Sequence, residues 1–133
     1  MSTTFTRTTL VDTDQLKTIR KLELASKQKG LLEDVVTHFL LNAPHWIEQM
    51  EDALLVKDEK EFHLAAGAML SSASMVGAEL LQQECRNLIE SVEFGTVAEV
   101  EIGFTRLHDN WAKLRPLLAF LLNNTLRPPI QTN

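Results

Sequence analysis

At 133 residues and 44% hydrophobic, the chain is long enough for one domain with a substantial core and too short for two comfortable ones. Its formal net charge of −5 argues against nucleic acid and anionic membranes as partners, because the field of the chain repels phosphate groups. A single cysteine, Cys85, excludes an intramolecular disulfide and a cysteine-rich zinc site, so we expect a reducing, cytoplasmic location.

The N-terminal region is predicted to be a tail followed by one short helix. Residues 1–11 are polar and threonine-rich, and we expect an N-terminal tail or extended arm without the apolar core of a signal peptide. Asp12 and Gln15 have the spacing of a helix cap and its reciprocal partner. Three residues form the apolar edge of this helix: Leu16, Ile19 and Leu22. The helix is predicted to end near Gly30, and its weak edge places it across the end or side of a bundle.

The second predicted helix spans residues 31–56 and has a sustained apolar seam. The seam residues alternate at steps of four and three, as in a bundle helix: Leu32, Val36, Phe39, Ala43, Trp46, Met50 and Ala53. This pattern predicts a long helix with one face in the core. Trp46, like Trp111 further along the chain, is interpreted as a core residue.

The third predicted helix begins at the cap Asp58, with Glu61 as its partner, and weakens around residues 74–77. One face is a continuous apolar stripe that we expect to pack: Phe62, Ala66, Met69, Ala73 and Val76. The opposite face is expected to be displayed: Lys60, His63, Gly67, Leu70, Ser71 and Ser74. Gly67 stands at the centre of that face, although glycine costs about 1 kcal/mol relative to alanine inside a helix.

Two further helices follow before a polar C-terminal tail, predicted for residues 123–133. The fourth helix spans about residues 77–92, with one apolar face: Ala78, Leu81, Cys85, Leu88 and Val92. Thr96 with Glu99 is predicted to cap the fifth helix after the turn at Gly95. The fifth helix repeats almost as heptads: Val100, Phe104, Leu107, Trp111, Leu114, Leu118 and Leu121. The longest apolar run, residues 117–122, is far below the roughly 20 residues that span a bilayer.

We therefore predict an all-α fold in which residues 12–122 form an antiparallel up-down four-helix bundle with an additional short N-terminal helix. A coiled-coil dimer is the alternative, although the breaks near Lys57, Gly77 and Gly95 favour folding within one chain. Monomer versus dimer stays open. No paired Glu-x-x-His motifs, phosphate loop, catalytic triad or dinucleotide fingerprint is present, so we expect no metal and no cofactor.

Residues 58–88 closely resemble the histidine phosphotransfer (HPt) domain of bacterial phosphorelays, whose signature is roughly Ala-His-x-Leu-Lys-Gly-Ser-Ser, with Gly-Ala ten residues after the histidine. The corresponding segment of this sequence is residues 66–73, followed by Gly77 and Ala78, then Leu81 and Cys85. With the helix-opening residues Asp58 and Phe62, and Phe39 and Pro44 in the preceding helix, the resemblance extends from about Asp12 to Leu122. It implies an HPt-like bundle.

Three departures from the HPt signature fall on one face of the third helix. Gly67 occupies the position of the phosphorylated histidine, Leu70 that of the neighbouring lysine, and Ser71 that of the glycine that lets a receiver domain approach. Gly67 has no side chain to accept a phosphoryl group. The resemblance therefore implies a scaffold without its usual chemistry, with no catalytic residue and no enzymatic activity.

His63 offers an alternative phosphoacceptor, because it lies one helical turn before Gly67 on the same predicted face. Use of His63 requires a docking complex shifted by about 6 Å along the helix. A surface histidine without a chemical role is commoner.

The function expected from the sequence is that of a non-catalytic HPt-like binding module in two-component signalling. It would dock a receiver domain, a histidine kinase or another signalling protein as an adaptor or inhibitor, with Leu70 as apolar anchor of the docking face. The expected partner-binding residues are Lys60, His63, Gly67, Ala68, Leu70, Ser71 and Ser74. The alternatives are an active phosphotransfer protein using His63, and an unrelated structural or oligomerising bundle.

Overall fold

The computed structural model describes residues 9–123, and within that range the chain forms five α-helices and no strand. The helices are α1 (Thr13–Ser26), α2 (Leu31–Leu55), α3 (Glu59–Met75), α4 (Glu79–Phe94) and α5 (Val97–Asn123). The prediction of an all-α fold is confirmed for this part of the chain. Most of the two predicted tails, residues 1–8 and 124–133, lies outside the described residues.

Helices α2 to α5 form a bundle in which each helix packs against the next and α5 packs back against α2. The connections between them contain only two or three residues, so consecutive helices run antiparallel. The four apolar faces meet within one chain, and a coiled-coil dimer is not needed to bury them. Helix α1 packs against α2 at the side of the bundle, as its weak apolar edge predicts.

The inward face of α3 forms as the sequence predicts. Its stripe residues are each at most 1% exposed: Phe62, Ala66, Met69, Ala73 and Val76. The predicted Asp58 cap is present, because the backbone N–H of Glu61 donates to Asp58 Oδ1 at 3.1 Å, but the Asp58 N–H donates to the Ala53 carbonyl and not to the Glu61 side chain. The cap fixes where α3 begins, and the buried stripe fixes which face of α3 remains outside.

The two tryptophans predicted to lie in the core are only half-buried at its edge. In α2 the interior position is taken by Ile47, which is 3% exposed, instead of the adjacent Trp46. An α-helix drifts relative to a strict 3.5-residue repeat, so the buried seam shifts by one residue along a long helix. Trp111 lies edge-on to the buried Phe39, with ring centroids 5.6 Å apart.

The heptad prediction for α5 is only partly right. Three of its residues are fully buried: Leu107, Leu114 and Leu118. Four are half-buried: Val100, Phe104, Trp111 and Leu121. Beside Phe104, Gly103 is buried against α4, where an added Cβ would lie 3.0 Å from Leu88 Cδ1. Because Gly103 has no side chain, Leu88 occupies this space and the buried seam passes through Gly103.

Helix α1 ends before Gly30, since Lys27 adopts a left-handed conformation with φ of 59°. Glu23, 8% exposed, then caps the next helix. Its carboxylate accepts hydrogen bonds from the backbone N–H groups of Gly30 at 3.0 Å and Leu32 at 3.3 Å, and pairs with Arg20 at 3.0 Å. A carboxylate at a helix N-terminus satisfies backbone donors that Gly30 itself cannot satisfy.

The cap of α1 differs from its predicted form. The Asp12 carboxylate accepts from the backbone N–H of Asp14 at 3.0 Å, but the Gln15 side chain donates to the Met75 carbonyl at 3.4 Å instead of returning to Asp12. Leu22, predicted to extend the apolar edge of α1, is 59% exposed. The helix therefore attaches to the bundle at both ends: Gln15 in its first turn contacts the end of α3, and Glu23 in its last turn contacts the start of α2.

Residues 9–12 bind the turn between α3 and α4. The backbone N–H of Asp12 donates to the Gly77 carbonyl at 2.7 Å, and the N–H of Leu80 donates to the Thr9 carbonyl at 3.1 Å. Gly77 has φ of +71°, and a Cβ there would lie 2.7 Å from the Asp12 carbonyl oxygen. This turn requires glycine for both conformation and space.

Candidate docking surface

The outward side of α3 presents a continuous surface that we call the Gly67 face. Its exposed or half-exposed residues form two adjacent rows, each with steps of three and four residues: Lys60, His63, Gly67, Ser71 and Ser74 in one, and Lys60, Leu64, Gly67, Ser71 and Met75 in the other. Lys60, Gly67, Ser71 and Ser74 are exposed, as the sequence predicts, and His63 is partly exposed. One helix therefore brings these predicted residues onto one face.

Gly67 lies at the centre of this face and has no structural neighbour. A Cβ built at Gly67 would meet no atom within 4 Å outside the local helix backbone. The fold therefore does not need glycine here for close packing. The centre of the face is flat, and a partner can approach the helix backbone there more closely than at any residue with a side chain.

Two residues predicted to be displayed on the docking face are partly buried in the bundle. Ala68 and Leu70 are half-buried, and Leu70 packs against the hydrophobic core. Leu70 is therefore not the exposed apolar anchor expected from the sequence. Its position is explained by rotation about the helix axis, because it lies on the side of the face nearer the buried Ala66 and Ala73.

Leu64 and Met75 supply the exposed apolar surface that sequence reasoning assigned to Leu70. Leu64 is 59% exposed and Met75 is 53% exposed. The position of Leu64 could have been predicted from the sequence, because Leu64 precedes Gly67 by three residues and Ser71 by seven, which places it on the same side of an α-helix. The Gly67 face thus has small residues at its centre and two apolar side chains beside them.

His63 stands at the edge of the face next to α4. Its Nε2 lies 3.5 Å from Glu93 Oε1, and its ring is edge-on to Phe62 with centroids 5.4 Å apart. The His63 side chain is 38% exposed. The imidazole is accessible, but the nitrogen that points away from its own backbone faces a carboxylate on the neighbouring helix.

Cys85 lies directly behind the Gly67 face, as a small core residue predicted from the sequence. Its thiol donates to the Ala66 carbonyl across the α3–α4 interface at 3.6 Å. Burial raises the pKa of the Cys85 thiol from 9.0 to about 11, against an opposing effect of the nearby Arg86 charge. The thiol stays protonated at neutral pH and is not a nucleophile for chemistry on this face.

His108 lies apart from Gly67. His108 on α5 contacts Glu51 on α2 through Nε2, on a different side of the bundle. Among residues 9–123, no group of three or more His, Cys, Asp or Glu side chains is close enough to hold a metal ion. No helix in the same range has the length and apolar character needed to cross a bilayer.

The fold is similar to that of a solved plant protein. An X-ray structure of a rice protein, provisionally assigned as a histidine-containing phosphotransfer protein, matches with a TM-score of 0.69 and 19% sequence identity. The match covers 86% of this chain and 80% of the rice chain. No protein-family model matches the chain, and no curated protein matches it. At this identity the similarity establishes the fold, and the chain has an HPt-like helical bundle.

Proposed function

We propose that this chain is a protein-binding module of phosphorelay signalling that has the HPt bundle but no phosphoacceptor. It docks a receiver domain, a histidine kinase or another signalling protein and acts as an adaptor or inhibitor. The observation that carries this proposal is Gly67, exposed at the centre of the outward face of α3 with open space where a side chain would stand. The similarity to the rice protein supports the signalling context.

The chemistry of the Gly67 face suits docking better than phosphate transfer. Phosphate transfer needs a nucleophilic side chain in line with the phosphoryl group, and Gly67 provides none. Docking needs close approach and desolvated apolar contacts, which the flat centre and the exposed Leu64 and Met75 provide. Lys60 adds a positive charge at one end of the face, where it can pair with an acidic partner surface.

A phosphate-transfer assay tests the absence of chemistry. The chain is incubated with receiver domains from the same genome, each carrying labelled phosphate on its aspartate. We expect no label on the wild-type chain. The matched variant Gly67→His has open space around its Cβ and is assayed in parallel. Label on Gly67→His alone supports docking at this face with only the acceptor missing, whereas label on a wild-type histidine contradicts the proposal.

A second candidate function, phosphate transfer through His63, is favoured by one observation: the imidazole is partly exposed on the same face. A nitrogen of His63 would attack phosphorus while the aspartyl P–O bond breaks and the carboxylate leaves. The attacking nitrogen must first be free of the proton and of Glu93. This function predicts label on the wild-type chain that disappears in His63→Ala.

An unrelated structural bundle is the third possibility, and the same proteins distinguish it. It predicts that neither the wild-type chain nor Gly67→His takes label, and that no receiver or kinase domain binds. Self-association lost on substitution of Leu64 would favour it further.

A further inference from the structure

A second surface lies at the end of the bundle where α2 and α4 finish and α3 and α5 begin. It is an open cleft of about 710 Å³ that all four bundle helices line. Its walls are mainly apolar: Leu54, Leu55, Val92, Val97, Val100 and Phe104. The cleft explains why Val92, Val100 and Phe104 are only half-buried, although the sequence predicts them to lie in the core.

Large apolar side chains are unusually exposed around this cleft. Leu55 and Val97, which line it, are 82% and 77% exposed, and the adjacent Val56 and Phe94 are 74% and 82% exposed. Single exposed apolar residues are ordinary, but a contiguous group beside an apolar cleft is typical of a site that another molecule covers.

The same end of the bundle is strongly acidic. Nine of the eighteen Asp and Glu residues lie in residues 51–61 and 90–101, with no arginine and with Lys57 and Lys60 as the only lysines. Three carboxylate residues line the cleft itself, Glu51, Glu59 and Glu101, together with one lysine, Lys57. These two segments carry more negative charge than the net −5 of the whole chain. A partner that covers the cleft must therefore complement both an apolar groove and an acidic rim.

A second copy of the chain is a poor fit for this cleft. Two copies joined by this end would bring two acidic rims together, and the repulsion would oppose burial of the apolar cleft. The acidic rim favours a positively charged molecule in the cleft.

We propose that this cleft, formed by the ends of α2 and α4 and the starts of α3 and α5, docks a basic amphipathic helix of a partner protein. The apolar stripe of that helix enters between Leu55, Val97 and Phe104, and its lysines or arginines face Glu59 and Glu101. This surface adjoins the Gly67 face near Lys60 but has its own lining residues, and the proposal does not depend on the function proposed for that face.

The test uses a defined probe and the full chain. A fluorescent helical peptide of about 18 residues, with leucine on one face and lysine on the other, is titrated with the protein, and anisotropy is measured. Two control peptides keep half of the chemistry: one replaces every leucine with serine, and the other replaces every lysine with glutamate. We expect binding of the first peptide only, weakening as NaCl rises from about 50 to 500 mM.

Matched protein variants locate the binding site. Val97→Asp and Leu55→Asp alter exposed residues in the cleft, and Leu24→Asp alters a residue of α1 that is 72% exposed. We expect about tenfold weaker binding to either cleft variant and no change for Leu24→Asp. Glu101→Lys should also weaken binding, whereas Asp109→Lys, about 12 Å further along α5, should have a smaller effect. Circular dichroism confirms that each variant is folded.

Several results would overturn the proposal. The first is no binding of the leucine–lysine peptide by the folded wild-type chain. The second is equal binding of either control peptide, which means that charge or apolar area alone is recognised. The third is equal weakening by Leu24→Asp, which places the peptide elsewhere. Concentration-dependent dimerisation of the free chain that Val97→Asp abolishes would assign the cleft to a second copy instead.

Discussion

Gly67 and Gly77 lie ten residues apart, yet the structure needs only one of them. At Gly77 the backbone has φ of +71°, and an added Cβ would meet the Asp12 carbonyl oxygen at 2.7 Å. At Gly67 the backbone is helical and an added Cβ would meet nothing within 4 Å. Gly77 allows residues 9–12 to lie against the α3–α4 turn, and Gly67 leaves the outward face of α3 flat.

The structure therefore gives a structural reason for glycine at position 77 and none at position 67, where a functional reason remains. A helix-interior glycine that fills no packing requirement lowers stability relative to alanine by about 0.5–1 kcal/mol. Its presence at the centre of an exposed face is therefore best explained by what the face does. The following predictions test that distinction, beginning with the largest expected effect.

Gly77→Ala should lower the free energy of unfolding by about 2–4 kcal/mol. The reasons are the cost of a left-handed conformation for alanine and the close contact with the Asp12 carbonyl. Urea unfolding followed by circular dichroism measures the change. A loss below about 0.5 kcal/mol would show that the turn does not need glycine and would remove the contrast with Gly67.

Cys85 tests the packed layer behind the Gly67 face. Its pKa is about 11 in the folded protein and about 9 when unfolded, so the unfolded chain loses this proton first as pH rises. The contribution of the buried neutral thiol to the free energy of unfolding is fully present below pH 9. Between pH 9 and pH 11 it falls by about 1.4 kcal/mol per pH unit, or about 2–3 kcal/mol in total.

The measurement for Cys85 is urea unfolding at pH values between 8 and 11, compared with Cys85→Ala. The variant lacks this titration, so the difference in stability between the two proteins should narrow as pH rises. A difference that is constant with pH would show that the thiol is not shielded from water behind α3.

Gly67→Ala should raise the free energy of unfolding by about 0.5–1 kcal/mol. Alanine has the higher helix propensity, and its methyl group has open space at this position. The measurement is the same urea unfolding used for Gly77→Ala, with the opposite sign expected. Destabilisation by Gly67→Ala would mean that glycine has a structural role here after all.

Leu64→Lys should change stability by less than about 0.5 kcal/mol, because Leu64 is 59% exposed and outside the core. Leu70→Lys should be more costly, since Leu70 packs partly against the core. Thermal unfolding of both variants provides the comparison. Equally small changes in stability for the two variants would show that the Leu70 side chain is exposed to solvent, as the sequence predicts.

The sequence predicts α3 well because its information is local. The Asp58 cap and the stripe from Phe62 to Val76 depend on spacing within one helix, and both occur as expected. Trp46, predicted for the core, and Leu70, predicted for the displayed face, are both half-buried. Each differs from its prediction by a small rotation about the helix axis, which depends on how neighbouring helices pack.

Contacts between helices could not be read from spacing. Glu23 caps α2 from α1, and Gln15 bonds the end of α3, so in each case the partner belongs to another element. The acidic cleft is similar: its residues belong to four helices, and only the fold brings residues 51–61 and 90–101 to one end of the bundle.

The central claim is that the Gly67 face docks a signalling protein. Its most direct test is the affinity of wild-type chain, Leu64→Lys and the matched surface control Leu24→Lys for receiver and histidine-kinase domains of the same genome, measured by calorimetry. We predict that at least one domain binds wild type and Leu24→Lys equally and Leu64→Lys about tenfold more weakly. No binding by any domain, or equal binding to all three proteins, would contradict the claim.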